Sequence, residues 1–357
     1  MAIVFTLTAH KPSDERVWFQ QAATLQKAGY NVLVRSLNTG TEASIKASTE
    51  ANVETSGTRD VIICDTPKAV VLAAIAQWRM RHSKQRAKIL YDITEWYPSK
   101  KNLRGLPFYR KIFKFILLTG ASLLAAFFAS GFIFGEYFKA IPFRRLFFWK
   151  KYIYLPYYAH TKNVKHYPVR DISRECVLLY AGRLTREKGF YTVLDVTAQC
   201  ARLMPDTHFI LRIISDDKLP SSTPPGFTIE HIPSLPFPDF CAQTGKADIC
   251  VDLRHIDWEN NRCLPIKIFY YLASGRPVIY SDLKAIRKEI PEIESTGILV
   301  NPACINDVAD AIISYIIDNE KYKKHCLRAR ELAQNKYDWS KYEKLFINFI
   351  AYFTKKQ

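Results

Sequence analysis

Acidic residues are scarce in this sequence. Asp and Glu number 34 against 51 Lys and Arg in 357 residues, a formal charge of +17 at pH 7. A surplus of that size implies an anionic partner: nucleic acid, an acidic membrane surface or a phosphorylated substrate. Paired metal spacings are missing too. The eight cysteines fall singly beside apolar runs, as Cys64 and Cys176 do, and Cys241 and Cys250 lie too far apart for a knuckle. Buried free thiols in a reducing cytosol are therefore expected, and no metal site. No internal repeat or low-complexity tract is visible. Met1 to Leu7 reads MAIVFTL, without a basic n-region, and is expected to be a first strand rather than a signal peptide. What is present is an ordinary globular composition, 48% hydrophobic and 24% charged, with length for two domains.

The shortage of acids is sharpest between Lys100 and Arg170, where fourteen Lys and Arg face one acid, Glu136. Within that basic frame Phe115 to Gly135 carries no charge, long enough for a membrane span. Thr119, Gly120 and Ser122 dilute the run, and Ser130-Gly131 reads as a break before a strand over 132–134. In helical projection Lys111, Lys114, Thr119 and Ser122 share one arc, with Ile112, Phe113, Ile116, Leu117, Leu123 and Leu124 opposite. Phe115 and Leu118 intrude on the polar arc. Three readings stay open: a basic helix lying in a membrane interface, an ordinary core helix, and a span or re-entrant helix.

Elsewhere strands and helices alternate. Strands are expected at 3–7, 30–35, 60–64 and 88–92, with helices up to Lys27 and from Ala69 to Arg81, and a polar loop over 38–57. A second alternating set starts at Cys176, with strands at 176–181, 208–214, 227–231, 248–253 and 297–300, helices between, and helix from Ile305 to the end. Short connections of this kind mean an α/β fold of parallel, doubly wound sheets. Ligands then bind beyond the carboxyl ends of the strands, which puts His10, Asp14, Arg16, Asp65, Thr66, Thr94 and Glu95 at one such mouth. The expected organisation is an N-terminal domain over 1–155 with a membrane-facing stretch at 100–151, a linker at 156–174, a second domain at 175–340, and a C-terminal helix at 341–357 packing back toward the first.

The most structured stretch is LPIKIFYYLASGRPVIYSD, Leu264 to Asp282. Pro265 suits a first helical turn, Gly275 a left-handed C-cap, and Pro277 forbids continuation. Val278 to Tyr280 is a short buried strand, and Ser281-Asp282 can cap the next helix. A helix N-terminus here, with Arg262 and Lys267 near it, suits a phosphate; a plain structural βα unit is the alternative.

Three segments together resemble the retaining GT-B glycosyltransferases of glycosyltransferase family 4, the group 1 type. Tyr180 to Gly189, YAGRLTREKG, is similar to the family's phosphate-binding loop, Pro265 to Asp282 to its P-x-K-x-F-E-Y block, and Gly297 to Ala311 to the segment closing the donor site. HKPSDERVWFQQAATLQKAGYNV and YDITEWYP resemble units of the N-terminal half. The resemblance implies two Rossmann-like domains facing across a cleft, with a nucleotide-sugar in the C-terminal half and the acceptor in the N-terminal half. It places the donor, with UDP or GDP as base-bearing group, against Gly182, Arg183, Lys188, Lys267, Tyr270, Glu259, Ser281 and Asp282. Arg183 and Lys188 match the cations that hold the diphosphate, with no metal and no resident cofactor. Glu95 and His10 are the acid–base candidates on the acceptor side.

Two positions depart from the family. Tyr270 stands where a glutamate would contact the ribose, with Arg262 eight residues earlier, and Thr94 stands where a histidine is often found. A phenol hydrogen-bonds a hydroxyl but lacks the two acceptor oxygens of a carboxylate. The expected function is a peripheral enzyme on the inner face of the plasma membrane that moves a sugar, with retention, onto a lipid-linked acceptor in surface polysaccharide (lipopolysaccharide or capsule) synthesis. The rival is a catalytically degenerate subunit that binds donor or scaffolds another transferase. A nucleic-acid partner rests on net charge alone and is not expected, because the cations sit beside apolar segments rather than on a separate basic face.

Overall fold

The computed structural model describes residues 3–9, 14–37, 61–79 and 86–354. It divides into two compact units, Met1–Tyr157 with Ser340–Gln357, and Tyr158–Trp339. The loop expected over 38–57 and the candidate His10 lie outside the described residues.

The first unit contains β1 (Ile3–Thr8), a π-helical segment Glu15–Ala22 running into α1 (Ala23–Lys27), β2 (Asn31–Ser36), β3 (Val61–Cys64), α2 (Pro67–Arg79) and β4 (Lys88–Ile93). Next come α3 (Lys100–Leu103), α4 (Phe108–Phe128), β5 (Gly131–Phe134), α5 (Tyr137–Leu146) and β6 (Lys151–Tyr154). The strands form one parallel sheet in the order β2-β1-β3-β4-β5-β6. Strands such as β3 (VIIC) and β5 (GFIF) are buried along their whole length. That is the mark of a parallel sheet covered on both faces.

Strand β6 has no counterpart among the strands expected from sequence. Only Ile153 of its four residues is buried, so at the sheet edge it carries no continuous apolar signal. It nonetheless pairs with β5, Gly131 opposite Lys151 and Ile133 opposite Ile153. Within the stretch 156–174, Tyr157 belongs to the first unit, under the Arg16 guanidinium at 4.4 Å. Tyr158 begins the second, its ring edge-on to Phe269 at 4.6 Å and Tyr337 at 5.3 Å. The last helix, Ser340–Thr354, belongs to the first unit and buries Phe346, Ile350 and Phe353.

The second unit has the same plan. Its strands are β7 (Glu175–Ala181), β8 (His208–Ile214), β9 (Thr228–Ile232), β10 (Ile249–Asp252), β11 (Val278–Ser281) and β12 (Gly297–Val300). They form a second parallel sheet, β12-β11-β10-β7-β8-β9. Helices α6 (Phe190–Leu203), α7 (Phe237–Gly245), α8 (Ile268–Ala273), α9 (Lys284–Glu289), α10 (Ile305–Ile317) and α11 (Asn319–Asn335) lie between and after the strands; α12 is Ser340–Thr354. The expected α/β class with two parallel sheets is the fold observed.

Six of the eight cysteines are buried free thiols, with Cys263 half-buried and Cys304 exposed. Burial pushes the Cys200 thiol up to about 12 and that of Cys326 up to about 11.

One buried network anchors the first unit. Arg16, which the sequence placed at the mouth of a site, is 5% exposed. It forms a two-pronged pair with Asp92 at 2.8 Å for each bond and donates to the Leu155 carbonyl, also at 2.8 Å. Gln21 donates to the same Asp92 at 2.6 Å. Burial disfavours the Arg16 charge, but Asp92 outweighs it and holds the guanidinium pKa above its ordinary value. Asp65 likewise accepts from Thr8 and from the Ala9 amide, and the Thr66 hydroxyl caps α2 through Ala69. These residues hold the edge of the sheet together. Removing one member of such a pair strands a buried charge, so Asp92→Ala should lower unfolding free energy by about 3–5 kcal/mol, as read by urea denaturation followed by circular dichroism.

Candidate functional site

In a parallel sheet the crevice opens where successive connections leave in opposite directions. In the second unit β7 lies between β10 and β8, so that point is at the carboxyl ends of β7 and β10. The loop 182–189 after β7 and the loop 253–262 after β10 meet there. A Cβ on Gly189 would sit 1.9 Å from the Leu253 carbonyl oxygen, and Gly189 has φ +78°. The His255 amide donates to the Glu187 carbonyl at 3.0 Å, tying the same two loops a second time.

The loop 182–189 is held from below and from the side. Tyr180, at the end of β7, is buried and its hydroxyl donates to the Arg183 carbonyl at 2.6 Å, with the Lys188 carbonyl at 3.4 Å. Burial, and then nearby Asp252, push that phenol up, so it stays a donor. Asp217 accepts from Arg183 Nε and from the Leu184 amide, both at 2.8 Å. Those two bonds, the amide first, keep its carboxyl below the usual range. Arg183 itself is exposed, its side chain at 74%. Lys188 is half-exposed, its Nζ 3.4 Å from Glu187. The 14-residue helix α6 starts directly after Gly189, and no side chain caps it. Two cations and a helix N-terminus that no side chain caps form an anion-binding arrangement.

The other donor-side candidates sit along the same sheet edge. Ser281 is fully buried and its hydroxyl is committed to the Arg254 carbonyl at 2.6 Å. Arg254 is paired through two bonds with Asp252 at 2.8 Å; burial opposes its charge and Asp252 sustains it. Asp282 forms a two-pronged pair with Arg287. Glu259, half-buried in the loop after β10, has its amide on Asp257 at 2.8 Å. Arg262 lies over the Trp258 ring at 4.4 Å.

Helix α8 has six residues, all buried, and begins at Ile268 rather than Pro265. The Lys267 carbonyl accepts from Tyr270 and Tyr271, so Lys267 opens the helix. Its end is as expected: Gly275 at φ +67°, with its amide on Leu272 and that of Arg276 on Tyr271, the two bonds of a Schellman cap. Tyr270 is 2% exposed against α7, edge-on to Phe237 at 5.2 Å and Phe240 at 6.1 Å. Its buried hydroxyl has no hydrogen-bond partner.

On the first unit, Glu95 is half-buried in the loop after β4 and bonds the Tyr97 hydroxyl. Burial, then the Glu95 carboxylate, push the Tyr97 phenol up. Lys139 donates to the Thr94 carbonyl at 2.6 Å and pairs with buried Glu136, which fixes this loop from beneath.

Three partners were missed in the sequence: Tyr180, Lys139 and Asp217. In sequence the pair Asp216-Asp217 reads as a turn after a strand rather than as metal ligands. In the structure Asp216 accepts from the Ser234 amide at 2.9 Å while Asp217 holds the loop 182–189. Among the described residues no three His, Cys, Asp or Glu side chains gather to hold a metal. The tight passage at Gly189 yields a direct test. Gly189→Ala should cost at least about 1 kcal/mol for the left-handed backbone alone, and more for the collision with Leu253. A lowered melting temperature is the expected result.

Residues 175–318 match the family model described as "Glycosyl transferases group 1". No curated protein matches the chain. Among solved structures, sucrose-phosphate synthase from Thermosynechococcus elongatus is 16% identical at a TM-score of 0.69, covering 99% of this chain and 100% of that one. Anabaena HepE in complex with UDP-glucose is 17% identical at 0.69, with the same coverage. A trehalose-6-phosphate protein from E. coli, bound with UDP-2-fluoro glucose, is 10% identical at 0.66 and covers both chains fully. At such identities the likeness establishes the fold, which is GT-B.

Proposed function

We propose that this chain is a glycosyltransferase that takes a sugar from a nucleoside-diphosphate donor, UDP or GDP, and passes it with retention to a lipid-linked acceptor. The observation that carries the reading is the loop 182–189, where exposed Arg183 and half-exposed Lys188 precede the N-terminus of α6 at the topological switch of the second sheet. The family match over 175–318 supports it, as do the UDP-sugar complexes of the structural neighbours. In the reaction the acceptor hydroxyl bonds to the anomeric carbon while that carbon's bond to the phosphate oxygen breaks. The departing phosphate takes the hydroxyl proton, and fixed cations offset the charge that develops on it. No strong protein base is required, so Thr94 in place of a histidine is tolerated. Glu95 is the polar group on the acceptor side. A lipid-linked acceptor suits the apolar exposed residues of the first unit, and surface polysaccharide synthesis at the cytoplasmic face of the plasma membrane is the setting that suits both co-substrates.

The buried phenol in place of a carboxylate favours a second reading, a donor-binding subunit without turnover. One experiment separates them. Melting is followed with UDP, GDP, ADP, TDP and CMP for wild type and Arg183→Ala, alongside donor hydrolysis. A nucleotide at about 100 times its dissociation constant stabilises by roughly 2.7 kcal/mol, and wild type alone should respond to one base. Turnover should fall about 100- to 1,000-fold in Arg183→Ala. Stabilisation without any turnover in wild type establishes the binding subunit instead, and no response to any nucleotide overturns both.

A further inference from the structure

The helix α4 is turned inside out. An ordinary surface helix buries its large apolar side chains and shows its polar ones. Here the buried residues are Ser122, Ala125 and Ala126, continued by Ala129 beyond the helix end. They recur at three and four residues, so they form one stripe. That stripe faces the body of the unit, where α4 meets α2 and β4, and Ser122 donates to the Leu118 and Tyr97 carbonyls. The opposite side carries Phe113, Ile116, Leu117, Leu124 and Phe127, all exposed, Phe113 at 70% and Phe127 at 65%. The core-helix reading is thereby excluded. Against a span stands the stripe that keeps the helix on α2 and β4 of its own unit, although an 18-residue window of it reaches a mean hydropathy of 1.7.

The apolar side continues past the helix. Lys150 donates to the carbonyls of Ala126, Phe127 and Ala129 at 2.6–2.8 Å, which fastens the turn after α5 to the end of α4. That turn exposes Phe148 at 78% and Trp149 at 61%. Cations border the surface: Arg104, Arg110 and Lys111 near the start of α4, Arg145 and Lys151 near the turn, all exposed. The one acid of the stretch, Glu136, is buried against Lys139.

We propose that α4 and the Phe148–Trp149 turn form a surface that lies in the interfacial layer of an anionic bilayer. The apolar side chains enter the acyl boundary and the bordering cations meet the headgroups. In a free amphipathic helix the polar arc faces water; here the protein body takes the place of water on that side. Charge complementarity selects the occupant: a broad apolar face ringed by unopposed cations fits an acidic lipid surface. This goes beyond sugar transfer and is tested without donor or acceptor.

The test uses the full chain and vesicles of phosphatidylcholine with or without phosphatidylglycerol, read by co-sedimentation at low and high salt. Wild type should bind the anionic vesicles at low salt and bind more weakly at high salt. Phe113→Ser/Phe127→Ser/Phe148→Ser should lose binding while melting unchanged, since these side chains are exposed. Arg110→Ala/Lys111→Ala should bind roughly tenfold or more weakly at low salt and with a flatter salt dependence. Lipids brominated in the acyl chain should quench Trp149 fluorescence, a signal absent in Trp149→Phe. The proposal is overturned if wild type binds neither vesicle, or if the triple variant binds as wild type does. It is also overturned if the same variant disperses a dimer of a protein that ignores vesicles, or if bound protein resists alkaline extraction as an integral span would.

Discussion

The main chain of Leu253 and the bare Cα of Gly189 touch where no side chain fits, and that contact decides where the second unit can hold an anion. It forces the chain to leave β7, make a closed loop and enter α6 with a left-handed residue at the junction. No side chain caps the first turn of α6 beside Arg183 and Lys188, and its first amide, that of Phe190, donates to the Thr185 carbonyl at 3.2 Å. Both side chains reach solvent. The main chain beneath them is held by Tyr180 through two carbonyls and by Asp217 through one amide, and Asp217 also holds the Arg183 side chain through Nε. A preorganised cradle of this sort costs no rearrangement when negative charge arrives, and that is the property which makes fixed charge effective in a reaction that releases a diphosphate.

The first unit shows the opposite use of charge. Arg16, Asp92, Lys139 and Glu136 are all buried, and each cation has its carboxylate in direct contact. Such pairs return little net stability against the desolvation they incur. They do fix geometry. Arg16 joins the π-helical segment after β1, the end of β4 and the Leu155 carbonyl, while Lys139 holds the Thr94 carbonyl. The loops at the carboxyl edge of that sheet are thus tied to a rigid ionic frame, and Glu95 rides on one of them.

How much of this was legible in the sequence depends on the range of each signal. Alternating apolar runs, Gly275 before Pro277, and the strand at 278–280 are local features, and they predicted elements that the structure contains. The start of α8 was read three residues early, because Pro265 favours a first turn without compelling the helix to begin there. Strand β6 was missed because only Ile153 of its four residues is fully buried at a sheet edge. Tyr180 and Asp217 were missed as functional supports for another reason. Their partners lie in main-chain groups or on a different strand connection, and no spacing along the chain encodes that. Arg16 was placed correctly at the strand ends, yet its burial against Asp92, 76 residues away, is a tertiary fact.

The helix α4 was ambiguous in sequence for a more basic reason. A projection separates a polar arc from an apolar one, but it does not say which arc faces the domain. Hydrophobic burial would ordinarily decide, since a buried Leu, Ile or Phe is worth about 1.5–3 kcal/mol over an exposed one. In this protein the decision goes the other way: alanines and a serine face the sheet, and phenylalanines and leucines face out. Small residues let the helix lie close to α2 and β4, and Lys150 satisfies the last carbonyls of the helix that a bare end would leave open. The helix is therefore firmly seated although its largest apolar groups contribute nothing to the core. A fold that forgoes that much burial, and surrounds the forgone surface with cations and no exposed acid between residues 100 and 170, is shaped for a neighbour other than water.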